Sequence, residues 1–175
     1  RTLLNSGADK VAINTAAVED PSIIDRLAAR FGSSTIVLQI DAKRRPWGWE
    51  AFCGGARTST GRDALAWAKE AADRGAGEIF ATSIDNDGLA RGIDVRLVGE
   101  LSALPIPVVI SGGYAGPGDA HAAHAAGASG IASSSGLHHN AICIANIKQQ
   151  LHQRGVPVRC EFSLQAPAAL SAATL

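Results

Sequence analysis

The 175 residues are 46% hydrophobic and 18% charged, enough apolar material for one α/β domain with a sizeable core. Sixteen basic and sixteen acidic residues cancel. No overall field therefore exists to hold nucleic acid or an anionic membrane, and any bound anion needs a local site.

The chain starts at Arg1, contains no methionine and passes directly into helix-like sequence, which is read as a truncated N-terminus. Short β-type runs then alternate with longer helical patterns, the signature of βα units around a parallel sheet. The first strand is expected over Lys10 to Asn14, followed by a helix from Pro21 to Phe31. Asp20-Pro21 supplies its cap and first position, and Ile23, Ile24, Leu27 and Phe31 its apolar stripe. A strand over Thr35 to Ala42 follows. The stretch from Arg44 to Gly61, with Trp47, Trp49 and Phe52 among glycines, is expected to form a hairpin or flap over one end of the sheet. Next come a helix from Asp63 to Arg74, a strand from Glu78 to Ser83, a helix from Asp94 to Leu101 and a strand from Pro107 to Ser111. A helix from Pro117 to Ala126, a strand from Gly130 to Ser134 and a helix from Ala141 to Arg154 complete the series. One domain over residues 1–160 is expected, with a tail over 161–175 that lacks strand pattern or cap and is read as a frayed helix or disorder.

No run approaches the ~20 apolar residues of a membrane span, and no secretion signal opens the chain, so a cytoplasmic protein is expected. Cys53, Cys143 and Cys160 lack metal or redox spacing and are read as reduced thiols.

A repeat carries more information than any single motif. Gly7-Ala8-Asp9-Lys10-Val11-Ala12-Ile13-Asn14-Thr15 aligns with Gly127-Ala128-Ser129-Gly130-Ile131-Ala132-Ser133-Ser134-Ser135, an offset of 120 residues (127 − 7). At roughly 30 residues per βα unit, that offset is about four units, or half of an eight-unit barrel. Gly75-Ala76-Gly77 introduces another strand in the same way. The fold class is accordingly α/β, a partial (β/α)8 TIM barrel of about five C-terminal βα units. A doubly wound open sheet is the alternative.

The strand ends hold the polar residues. Ser111-Gly112-Gly113 and Ser133-Ser134-Ser135-Gly136 end consecutive strands, where backbone N–H groups and hydroxyls cradle phosphates. Shaping a turn and capping a helix is the plainer account of each motif alone. The repeat nominates Asn14-Thr15-Ala16 as a second cradle, and two cradles across a barrel mouth select an elongated bisphosphate. Asp41 ends an apolar strand before Lys43, Arg44 and Arg45, and is a candidate acid or base whose shift has no sign readable from sequence; ion pairing or turn capping competes. Thr82 and Asp87 lie in Thr82-Ser83-Ile84-Asp85-Asn86-Asp87-Gly88, as substrate-positioning groups or as a turn. The twelfth-position glutamate of a calcium loop is missing, the five histidines form no metal set, and no metal or cofactor is expected.

The strings Gly-Ala-Asp-Lys-Val-Ala-Ile-Asn-Thr-Ala-Ala-Val-Glu-Asp-Pro-Ser, Ile-Asp-Ala-Lys-Arg, Arg-Gly-Ala-Gly-Glu-Ile, Thr-Ser-Ile-Asp-Asn-Asp-Gly, Ile-Ser-Gly-Gly and Val-Pro-Val-Arg spread over Arg1 to Arg159. In order and spacing the chain resembles the cyclase subunit of imidazole glycerol phosphate synthase, of the histidine biosynthetic route. The resemblance implies a lyase that combines ammonia from a glutaminase partner with a phosphoribulosyl formimino aminoimidazole carboxamide ribotide. Its products are imidazole glycerol phosphate and an aminoimidazole carboxamide ribotide. It further implies Asp41 as one of two catalytic aspartates, and Asn14, Thr82, Asp87 and Ser111 on the substrate side. Gly112, Gly113, Ser134 and Ser135 match the phosphate side, and Lys10 and Glu78 the ammonia entrance. Complete members are barrels of about 250 residues, so the first three strands and the other aspartate are expected to be absent here. Ser133-Ser134-Ser135 and Tyr114 depart from the family pattern, which leaves a related sugar-phosphate isomerase or a noncatalytic phosphate-binding module as alternatives. Open sheet edges are expected to favour self-association.

Overall fold

The computed structural model describes residues 2–138 and 143–159. Its helices and strands alternate as α1 (Thr2–Asn5), β1 (Val11–Ile13), α2 (Thr15–Glu19), α3 (Ser22–Phe31), β2 (Ile36–Arg45), β3 (Gly48–Cys53), β4 (Thr58–Asp63), α4 (Ala64–Asp73), β5 (Glu78–Ser83), α5 (Val95–Leu101), β6 (Val108–Ser111), α6 (Pro117–Ala125), β7 (Gly130–Ala132), α7 (Ser135–His138) and α8 (Ile144–Gln153). Nearly all of the expected boundaries fall within two residues; the second strand, expected to end at Ala42, runs on to Arg45. The tail over 161–175 and Cys160 lie outside the described residues. Cys53 is a buried free thiol and Cys143 an exposed one.

The parallel strands follow one another in chain order, β1-β2-β5-β6-β7, with β3 and β4 appended antiparallel through β2. A doubly wound sheet reverses its strand order at a switch point and carries helices on both faces. Here the order never reverses. The helices also share one face: Ile24, Trp67, Ala68, Leu97, Leu101 and Ala123 pack with Leu38, Ile40, Ile79, Ala81, Val108 and Ile110 in a single cluster. The intervening residues Gln39, Phe80, Thr82, Val109 and Ser111 face the other way and are only partly buried. The fold is a partial (β/α)8 barrel with an outer face sealed by helices and an open inner face.

Local chemistry explains the punctuation. Before β1, β5 and β7 the chain makes the same helix stop: Gly7, Gly75 and Gly127 have φ of 96°, 103° and 102°. In each, the following alanine N–H reaches a carbonyl five residues back, Ala8 to Leu3, Ala76 to Ala71 and Ala128 to Ala123. This is the Schellman arrangement, and the repeated Gly-Ala pairs of the sequence are its signature. At the helix starts, Asp63 accepts from Ala66 N (2.7 Å) and Asp94 from Leu97 N (3.1 Å). Asp20 accepts from Ser22 N at 3.1 Å, although α3 begins at Ser22 because Pro21 itself already has helical dihedrals.

One element was not expected, and another takes the first of its two expected forms. The short helix α2 fills Thr15–Glu19, a stretch with no apolar periodicity long enough to announce it. The Arg44–Gly61 segment is a hairpin: β2 continues to Arg45, turns at Pro46-Trp47, and returns as β3 with Asp41 opposite Phe52. β1 leaves the edge of β2 at Leu38, and β3 takes up that edge from Asp41 onward. The hairpin is fastened to α5 by Asp94, which accepts from Trp49 Nε1 (3.0 Å) and pairs with Arg44 (3.0 Å). Glu50 is shielded within it and accepts from the Ser59 hydroxyl, from Arg45 Nε (2.7 Å) and from Gly61 N (3.0 Å). Those donors hold its carboxyl down at about 2, against an ordinary 4.5.

Because the folded value is depressed, Glu50 contributes stability above about 4.5 that is lost as pH falls toward about 2. Glu50→Gln should therefore lower the melting temperature at neutral pH, with the difference closing in acid; equal melting curves at both ends of that range would contradict the linkage. The outer edges of β1 and β7 have no strand partner among the described residues. Exposed parallel edges template pairing between chains, so light scattering should give a mass above the 17.9 kDa of one chain. A monodisperse monomer would show that the edges are protected.

Candidate functional site at the strand carboxyl ends

Parallel register decides which side chains meet. Asp41 of β2 lies beside Thr82 of β5, Thr82 beside Ser111 of β6, and Ser111 beside Ala132 of β7. These residues form one row at the carboxyl ends of β5, β6 and β7, level with Asp41 in the longer β2, and alternation turns them to the inner face. Asn14, the residue after β1, reaches the same row by donating from Nδ2 to Asp41 Oδ2 at 2.9 Å.

Asp41 is 5% exposed. Burial pushes its carboxyl up from the ordinary carboxylate value; the Gln39 amide, the backbone N–H of Ala56 and Asn14 oppose this, and the nearby Asp87 charge adds to it. The sign left open by the sequence is thus upward. Lys43 and Arg44 do not reverse it, because their cations lie over the Phe52 ring at 5.9 Å and the Trp49 ring at 4.6 Å.

A cavity of about 490 Å³ opens above the row, lined by Gln39, Asp41, Thr82, Asp87, Ser111 and Ser134 among others. An adjoining hollow is lined by Ser111, Gly112, Gly113, Ser133 and Ser134, with Asp87 on its rim. Gly112 and Gly113 have φ of 91° and 88°. A Cβ on Gly112 would fall 2.6 Å from the Ser83 carbonyl oxygen, and one on Gly113 2.3 Å from that of Gly92. Only glycine fits both this conformation and this approach. Ser135 opens α7 at the same end. The structure therefore brings Asn14, Asp41, Thr82, Asp87, Ser111, Gly112, Gly113 and Ser134 to one mouth.

Lys10 and Glu78 lie elsewhere. Each precedes its mouth residue, Asn14 or Thr82, by four positions, about 13 Å of strand. They form an ion pair at 2.5 Å at the amino-terminal end. In the proposed second cradle, Thr15 Oγ1 accepts from Gly54 N at 3.0 Å and Asn14 serves Asp41. Backbone N–H groups at the start of α2 are left for that role.

A family model described as histidine biosynthesis protein matches residues 1–143. The chain belongs to that family. It is 46% identical over 162 residues to the imidazole glycerol phosphate synthase subunit HisF of Symbiobacterium thermophilum, covering 91% of this chain and 64% of that protein. The HisF subunit of Nostoc sp. is 45% identical over 166 residues, with the same shares. That of Pyrobaculum aerophilum is 45% identical over 159 residues, covering 90% of this chain and 63% of the relative. The chain thus spans just under two thirds of the length of the curated relatives it matches. No described helix is long and apolar enough to cross a membrane.

Two features of the mouth escaped sequence reasoning. Gln39 donates from Nε2 to Asp41 Oδ1 at 3.4 Å; its signal was a lone amide in an apolar strand, two residues from Asp41 and hence on its face. The second is the turn at Gly54-Gly55-Ala56, where three successive residues have φ of 62°, 68° and 63°. It bends back over the mouth and brings the Ala56 N–H to Asp41. Only the two glycines hinted at it.

A group whose folded value is raised opposes folding as pH climbs from its unfolded value, near 3.8, through the folded one. Going from acid to neutral pH, the melting temperature of Asp41→Asn relative to the parent should shift in the variant's favour. A constant difference across that range would mean that burial does not perturb Asp41.

Proposed function

We propose that the chain carries the cyclase chemistry of an imidazole glycerol phosphate synthase, with Asp41 as one of its two acid/base groups. The observation that carries this reading is the row Asp41, Thr82 and Ser111 on the inner face, beneath one cavity and beside the Gly112-Gly113 turn. The substrate is a bisphosphate, the phosphoribulosyl formimino aminoimidazole carboxamide ribotide, and ammonia is the second reactant. Imidazole glycerol phosphate and an aminoimidazole carboxamide ribotide leave, together with the water released when ammonia condenses at the ketose carbonyl.

Joining ammonia to a ketose carbon and closing a ring requires protons to be taken up and released at neighbouring atoms. A carboxyl raised by burial suits that task better than a free one, because its affinity for a proton lies nearer the working pH. Asn14 and Gln39 hold Asp41 in place without supplying protons themselves, since amides do not titrate. Thr82, Ser111 and Asp87 offer hydrogen bonds to substrate hydroxyls, and the backbone at Gly112 and Gly113, with Ser134 and Ser135, receives one phosphate. The complementary aspartate of the pair is expected on the family's first strand. Lys10 and Glu78 guard the ammonia entrance at the opposite end, where a glutaminase subunit docks; such a protein works in the cytoplasm.

The test uses a barrel completed with the N-terminal portion of a relative. Asp41→Asn should reduce ammonia-dependent turnover by about 10² to 10⁴ with little change in KM. Titration of the same sample with inorganic phosphate should still shift the amide resonances of Gly112, Gly113 and Ser134. Unchanged turnover sinks the acid/base role. Saturable phosphate binding without turnover in the parent barrel favours a noncatalytic phosphate-binding module instead.

A further inference from the structure

One rung below Asp41 the inner face is formed by Gln39, Phe80, Val109 and Gly130, side by side on β2, β5, β6 and β7. Gln39 is the single polar side chain of that layer, flanked in the first half of its strand by Ile36, Val37, Leu38 and Ile40. An amide set among apolar neighbours costs free energy unless it is paired, and its partner is Asp41 Oδ1 at 3.4 Å. Asn14 holds the other oxygen, Oδ2, at 2.9 Å. The Ala56 backbone lies beside the same carboxylate.

We infer that Gln39 is a positioning residue for the acid/base step, clamping the Asp41 carboxylate from one oxygen while Asn14 clamps it from the other; this rests on the reading of Asp41 just proposed. A carboxylate offers about four lone-pair sites. Asn14 and Gln39 occupy one site on each oxygen, and the remaining sites are left for the cavity shared with Thr82 and Ser111. Proton transfer is then confined to one direction, the arrangement that orientation arguments require of an efficient base. An ionised carboxylate only accepts, so the Gln39 NH2 must face it and the amide oxygen is turned away.

Each clamp is neutral, which fixes the carboxylate without lowering its basicity as much as a lysine or arginine would. The charged groups facing it are Asp87, from the loop after β5, and Lys43, two residues along β2 with its ammonium over Phe52. Neighbouring positions from the other strands are uncharged: Asn14, Thr82, Ser111 and Ala132.

At 3.4 Å the contact is longer than an ordinary N–H···O bond, so it should respond visibly to the charge on its acceptor. In the unmodified, isotope-labelled chain, the Asp41 carboxyl carbon and the Gln39 side-chain amide protons can be followed by NMR from about pH 3 to about pH 8. They should titrate with one shared midpoint. Gln39→Met, which keeps length and loses the donor, should raise the Asp41 midpoint by roughly 0.5 to 1 pH unit. Gln39→Glu should raise it further, because two carboxyls then share one site. If Gln39→Met fails to fold, the titration of the unmodified chain decides alone. Gln39 amide protons that ignore the Asp41 midpoint, or a Gln39→Met midpoint equal to the parent's, overturn the assignment.

In the completed barrel Gln39→Met should lower kcat far more than it changes KM, and should move the acidic limb of the pH profile by the shift that NMR records. A barrel whose turnover is indifferent to Asp41 would remove the proposed reaction while leaving the midpoint shift intact, so the two failures are separable.

Discussion

Along β2, β5 and β6 every second side chain is sealed against the helices: Leu38, Ile40, Ile79, Ala81 and Ile110 are at most 1% exposed. Because side chains alternate along a strand, this sealing dictates the direction of all the residues between them. A slip of one residue in β2 would drive Asp41 and Gln39 among α3 and α4 and expel Leu38 and Ile40. The cost is the unpaired burial of a carboxyl and an amide plus the loss of two large apolar groups, on the order of several kcal/mol. Register is consequently held by apolar residues that take no part in chemistry. Asp41, Thr82 and Ser111 stand in one row because their neighbours cannot turn around.

The hairpin adds what a bare barrel strand cannot supply. β1 is too short to flank Asp41, so β3 covers that edge of β2, and the β3–β4 turn folds back until Ala56 meets the carboxylate. Its left-handed residues carry strain of about 1 kcal/mol or more at the non-glycine Ala56, which persists because the turn is tied at both ends. Gly54 N bonds Thr15 at one end, and Arg57 N bonds the Cys53 carbonyl at the other. Farther out, the Arg44–Asp94 pair is half exposed and modest by itself. Trp49 makes it worth more, since the indole donates to the same Asp94 and receives the Arg44 guanidinium on its face. Thus the strand that bears Asp41 is anchored beyond the mouth as well as beneath it.

How much of this was legible depended on whether the signal was local. The Gly-Ala stops before β1, β5 and β7 are local, since a left-handed residue closing a helix asks for glycine wherever it occurs. Their spacing gave the barrel reading its force. Asp63 and Asp94 were likewise readable as helix starts. The direction of the Asp41 shift was not, because it depends on where Lys43 and Arg44 point, and aromatic rings on the hairpin decide that. Gln39 was missed for a related reason: its significance lies in a pairing across the inner face, and a single glutamine in a strand has no spacing to betray it. The α2 helix has too few residues to show a period and leads through Asp20 and Pro21 directly into α3.

Charge at the mouth sets a further constraint on the proposed substrate. Asp41 and Asp87 both line the main cavity, and Asp87 also borders the hollow at Gly112 and Gly113. No lysine or arginine lines either space among the described residues. A phosphate held there must rely on backbone N–H groups and hydroxyls, whose partial charges act at short range. Asp41 and the β6–β7 cradle are separated by two to three strand spacings of about 4.8 Å each, far enough for water to screen much of their repulsion. On the other side, the start of α2 lies next to Asn14 and hence next to Asp41. A bisphosphate anchored at both ends would lie across the mouth over Asp41, Thr82 and Ser111, while a single phosphate group would be gripped at the edge with its reactive portion unplaced. Under the proposed function, length of substrate, more than net charge, is what this arrangement would discriminate.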